Sequence, residues 1–134
     1  MLAAAFSRGR RATRGGRGGG AAWPGGRANR PSRSYEALRD DYRAVLVVGR
    51  KASGRYVPRP ETSPDGEAML ARWARVNRRL RKALRRWTEQ ELDRVVLPQP
   101  LLGKLTAREV AYFTVYHGGH HVEAVRRRLG VGEA

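Results

Sequence analysis

The chain has 134 residues and no cysteine, so disulfides, thiolate metal sites and cysteine nucleophiles are excluded, and any metal must take nitrogen or oxygen ligands. Formal charge is +16, and half of it falls on the first 34 residues, which hold eight arginines and no acid. The length allows one domain, and the apolar runs fall far short of the roughly 20 residues that cross a bilayer, which predicts a cytoplasmic protein with no membrane partner.

Residues 1–33 are mainly Gly, Arg and Ala and have almost nothing to bury, so burial cannot offset the entropy of ordering them and a disordered tail is expected. Three readings compete for it. Arg14-Gly15-Gly16 and Arg17-Gly18-Gly19, with Trp23 as a stacking partner, resemble Arg-Gly-Gly segments that bind RNA. An acid-free, arginine-bearing start also resembles an organellar transit peptide. The third reading is a misassigned start or shifted frame in GC-rich DNA.

The domain is placed at 34–130. Ser34 can cap a helix over 35–48, with Glu36 in its first turn, Leu38, Tyr42 and Val45 on one face, and Gly49 as terminator. A loop follows to Ser63. Ser63 as cap, Pro64 at the first helical position and Asp65 in the first turn predict a second helix over 64–87. Its apolar stripe, Met69, Trp73, Val76, Leu80, Leu84 and Trp87, is read as core. Arg72, Arg75, Arg79, Lys82 and Arg86 form the opposite face, either solvated or docking an anion.

Thr88 and Glu91 can make a capping box over a short turn, and Pro98 and Pro100 forbid helix continuation. Thr106 and Glu109 form a second capping box, opening a helix over 106–129. Val110, Phe113, His117, His121, Ala124 and Arg128 share one of its faces. His117 and His121, one turn apart, can both reach one point in space, which is half of a metal site; His120 points elsewhere. Gly118 and Gly119 require either a closely packed neighbour or a locally weak helix.

The run Leu97-Pro98-x-Pro100-Leu101-Leu102-Gly103-Lys104-Leu105-Thr106, then Arg108-Glu109, Tyr112-Phe113-Thr114 and Tyr116-His117-x-x-His120-His121, resembles the last loop and last helix of the DinB-like (DinB/YfiT) four-helix-bundle superfamily. The resemblance is dense over about thirty residues and looser back to about Arg55. It implies an all-α fold, here an incomplete or truncated bundle with three readable helices behind a disordered tail. It also implies a divalent metal, zinc or nickel, with His117 and His121 as two of three ligands. In that family the third is a histidine from the second helix, and this sequence has none before His117. Asp40 or Asp41 is the candidate replacement, giving two imidazoles and a carboxylate with one position left open.

The implied activity is that of a metal-dependent transferase or hydrolase acting on a small thiol or another small molecule, with Glu109, Tyr112 and Tyr116 near the histidines. The competing reading is a basic RNA- or DNA-binding protein using Arg14, Arg17 and Trp23 of the tail and Arg72, Arg75 and Arg79 of the second helix. A bundle short of one helix leaves apolar surface uncovered, which predicts a homodimer that shares its core.

Overall fold

The computed structural model describes residues 26–51, 57 and 65–131. Helix α1 is Tyr35–Val47; the Ser34 hydroxyl accepts from the Ala37 N–H, and Glu36 sits in the first turn as the helix dipole favours. Gly49, at φ +73°, closes the helix from the left-handed region. Its N–H donates to the Leu46 carbonyl and that of Arg50 to Val45, the paired bonds of a Schellman ending.

Helix α2 is Gly66–Leu84. Its cap is Asp65, whose carboxylate accepts from the Ala68 N–H, and not Ser63, which with Pro64 lies outside the described residues. The helix stops three residues before the sequence predicts, because Arg85 and Arg86 form a turn that brings Trp87 back onto the core. Helix α3, Glu89–Arg94, carries the predicted capping box of Thr88 and Glu91.

The stretch read as a loop after α3 is an antiparallel hairpin, β1 Val96–Gln99 and β2 Gly103–Thr106, with Val96 opposite Thr106 and Gln99 opposite Gly103. The Gln99 side chain accepts from the N–H groups of Leu101 and Leu102 and so holds the turn together. Pro98 is exposed in this two-stranded ribbon, where strand edges tolerate a missing N–H. Helix α4, Ala107–Leu129, follows β2 directly, with the predicted Thr106/Glu109 capping box at its start and Gly130, at φ +65°, at its end.

The architecture is mostly helical: α1 lies against α4, and the hairpin and α3 close over the beginning of α4. The core is Leu38 of α1, Leu80 and Ala83 of α2, Trp87, Val95, Leu97 of β1, Leu105 of β2, and Ala107 and Val110 of α4. Only the C-terminal half of the α2 stripe reaches it. Met69, Trp73 and Val76, read from the sequence as core, are 54%, 67% and 46% exposed because nothing among the described residues covers that half of the helix.

The described structure starts inside the stretch that the sequence sets apart as a tail. Arg27 bridges to Val95, the Ala28 N–H donates to the Arg94 carbonyl, and the Val96 N–H donates to Gly26. Ser32 then donates to Asp93 and meets the Thr106 hydroxyl at 2.7 Å. Residues 26–33 are therefore part of the domain; the rest of the tail lies outside the described residues.

What draws this segment inward is Glu109. Its side chain is wholly buried, and its carboxylate accepts from Arg30 at 2.6 and 2.9 Å, from the Arg33 guanidinium and N–H, and from the Thr106 N–H. Burial alone would raise its pKa, but the two guanidiniums and the two backbone N–H groups more than offset this and hold it at about 2.

Two predictions follow from this packing. Trp87→Ala is expected to cost about 3–5 kcal/mol, the usual price of a buried tryptophan, whereas Trp73→Ala stays within about 0.5 kcal/mol, both read from urea unfolding. The Glu109 carboxylate has a lower pKa folded than unfolded, so its contribution is complete above about 4.5 and fades as pH falls toward about 2. Glu109→Gln is expected to lose about 2–3 kcal/mol at pH 7 and to flatten the stability profile between those two pH values.

Candidate functional site

The histidine face of α4 turns toward α1. His117 is half-buried, with the Phe113 ring stacked on it at a centroid distance of 4.9 Å. Tyr42 of α1, 3% exposed, packs edge-on against Phe113, Tyr116 and His117, and its hydroxyl lies 2.9 Å from His117 Nδ1. Tyr35 and Tyr112 form a second edge-on pair between the same two helices.

Beyond this aromatic floor the two histidines converge as their spacing predicts. His121 is exposed, and its Nε2 lies 3.0 Å from Nε2 of His117. Both arrangements that satisfy this contact use Tyr42, whose hydroxyl donates or accepts as it rotates. If Tyr42 donates to Nδ1, then His117 carries its proton on Nε2 and donates to His121. If Nδ1 carries the proton and donates to Tyr42, His117 Nε2 accepts from the Nε2–H of His121; with His121 in its other tautomer both Nε2 lone pairs face the same space, an arrangement that only a shared cation satisfies.

Burial, and then the neighbouring His121 and His120, lower the His117 pKa from its ordinary value. The shift favours the neutral imidazole, the form that ligates a metal. Burial also raises the Tyr42 pKa, so this phenol keeps its proton.

The 3.0 Å separation falls within the roughly 2.9–3.4 Å that two nitrogen ligands keep on one cation at bond lengths of about 2.0–2.1 Å. The pair therefore fits as a two-nitrogen chelate. It does not fit as a complete three-ligand site: no group of three histidine, aspartate or glutamate side chains converges among the described residues.

The sequence candidates for the third ligand are held elsewhere. Asp40 pairs with Arg39 at 2.9 Å and Asp41 with Arg33. Those arginines come from the same stretch of chain and reach the carboxylates first, a competition that spacing on α1 does not reveal. His120 stays a flank, its ring 5.6 Å from that of His121. Glu109, read as a neighbour of the histidines, sits in the arginine clamp described above.

Of the residues assigned to nucleic acid, Arg14, Arg17 and Trp23 lie outside the described residues, and Arg72, Arg75 and Arg79 are exposed on α2. Tyr42 was legible in the sequence only as a core position. Its offset of seven from Tyr35 places it on the α1 face that meets α4, but nothing in α1 alone points it at a histidine.

A mainly helical domain whose last helix turns an H-x-x-x-H pair onto an aromatic residue of a preceding helix defines the class of protein. Residues 2–125 match the model of the DinB superfamily, and the chain belongs to it. The match runs through the Arg- and Gly-rich N-terminus as well as the helices. Neither a curated protein nor a solved structure matches the chain.

The two glycines beside the histidines need neither a close neighbour nor a broken helix. α4 runs through both, and a Cβ built on Gly118 or Gly119 meets nothing within 4 Å. Gly118→Ala and Gly119→Ala are each expected to stabilise the protein by about 0.5–1 kcal/mol, measured by urea denaturation, because each removes backbone freedom from the unfolded chain without a clash.

Proposed function

We propose that the domain is a DinB-type protein whose chemistry centres on a two-imidazole seat for zinc or nickel, His117 and His121, completed by ligands from solution such as water or a small thiol. The observation that supports this reading is the pair of Nε2 atoms 3.0 Å apart, with His117 oriented through its other nitrogen by Tyr42. A divalent ion held there supplies Lewis acidity toward a coordinated water or thiol.

The chain's own residues divide the remaining work. Phe113 stacks on His117 and fixes the plane of its ring. Tyr42 engages Nδ1 and so leaves Nε2 to ligate, in the tautomer whose Nδ1–H donates to the Tyr42 hydroxyl oxygen. His121 stays exposed, so the seat opens to solvent on one side, and a small substrate enters from there. Two protein ligands make a weaker site than three, so the expected affinity is modest and the site depends on its exogenous ligand.

Untagged protein titrated with zinc is expected to gain melting temperature, with the gain lost in His117→Ala and His121→Ala and the affinity about 10-fold weaker in Tyr42→Phe. Because His117 must be neutral to bind and its pKa is lowered, the gain should persist through the ordinary histidine range and shrink only at more acidic pH. A melting temperature indifferent to zinc and nickel, or equal gains in the wild type and both alanine variants, contradicts the reading.

A further inference from the structure

The last two turns of α2 and the turn that follows carry a feature that the histidine site does not use. Arg78, Arg81, Lys82, Arg85 and Arg86 line one open groove of about 600 Å³. All five are exposed. Arg78/Lys82, Arg81/Arg85 and Lys82/Arg86 are like-charged neighbours four apart, an arrangement unfavourable on an isolated helix. The helix dipole favours cations in the last turn and at the cap, but it does not account for Arg78, which lies before the last turn.

Six arginines elsewhere among the described residues pair with carboxylates, and where others stay unpaired, as Arg50 and Arg94 do, they are not gathered along one groove. Arg30 and Arg33 hold Glu109, Arg108 holds Asp93 and Glu89, and Arg127 faces Glu123. The five groove cations have no carboxylate within ion-pair distance among the described residues, and Glu67, a full helix away, is the only acid on α2. An unneutralised row of this kind is a standing binding potential for a linear polyanion.

We propose that this groove binds the phosphodiester backbone of nucleic acid without regard to sequence. From Arg78 to Arg86 the chain rises about 12 Å, and a duplex presents one negative charge per roughly 1.7 Å of axis, so the five cations are matched by phosphates along that length. Guanidiniums dominate the row, and they meet phosphate oxygens with paired donors.

A bilayer fits less well. At roughly 100° per residue the groove and the exposed apolar residues Met69, Trp73 and Val76 lie on opposite sides of α2, so a flat surface cannot engage both. Of the cationic face read from spacing, the groove keeps Lys82 and Arg86 but not Arg72, Arg75 or Arg79, and it adds Arg78, Arg81 and Arg85 because the chain continues its cationic side through the turn at Arg85 and Arg86.

The test is fluorescence anisotropy of a labelled 20-base-pair DNA duplex with the full chain, over a salt series. One variant replaces the five groove cations with glutamine. A matched variant replaces five exposed cations elsewhere, Arg50, Lys51, Arg94, Arg126 and Arg128, so that net charge falls equally.

The groove variant is expected to lower the slope of log affinity against log salt by about 4–5, and to bind at least 10-fold more weakly than the matched variant at 150 mM salt. Three outcomes overturn the proposal: no duplex binding by the wild type at 50 mM salt, equal losses in the two variants, or a loss confined to phosphatidylserine vesicles while duplex binding is unchanged. Both variants alter exposed side chains only, and equal melting temperatures confirm that they fold.

Discussion

The structure depends on a buried carboxylate. Glu109 sits at the third position of α4 with no exposed side-chain surface, and a charge in that place is tolerable only if every oxygen is hydrogen-bonded and the charge is paired. Two arginines from before α1 and the N–H of Thr106 meet that demand. In doing so they tie residues 30–33 to the start of the last helix, across 76 to 79 positions of sequence. That tie sets where α1 begins and how it lies on α4.

The relative placement of α1 and α4 in turn makes the candidate site. Tyr42 reaches His117 only because α1 runs along the histidine face, with Tyr35 against Tyr112 one end of the contact and Tyr42 against Phe113 and Tyr116 the other. Edge-on aromatic pairs of this kind contribute about 0.5–1.5 kcal/mol each beyond their buried area and also fix ring directions. The same face that stabilises the helix pair orients the imidazole.

The helices were legible because their signals are local. Two capping boxes, a serine cap and three- and four-residue apolar spacing mark ends and faces within a dozen residues, and the structure places α1, α2 and α4 close to those marks. The convergence of His117 and His121 was legible for the same reason, since one turn of helix sets it.

What was not legible is long-range. Glu109 reads as a capping residue, and its second role needs Arg30 and Arg33, whose surrounding glycine and arginine resemble disorder. The hairpin was hidden by Pro98 and Pro100, which look like loop residues until one sees that the ribbon has only two strands. The apolar stripe of α2 reads as core along its whole length, because periodicity reports amphipathicity and cannot report that only Leu80, Ala83 and Trp87 meet a partner.

The central claim is that the last helix turns His117 inward onto Tyr42, neutral and shoulder to shoulder with His121. Imidazole nitrogen NMR across a pH titration tests this most directly. The account predicts that His117 takes up its proton below the ordinary histidine range, and that its Nδ1 signal moves when Tyr42 becomes phenylalanine. A His117 that titrates in the ordinary range and ignores the loss of the tyrosine hydroxyl would contradict it.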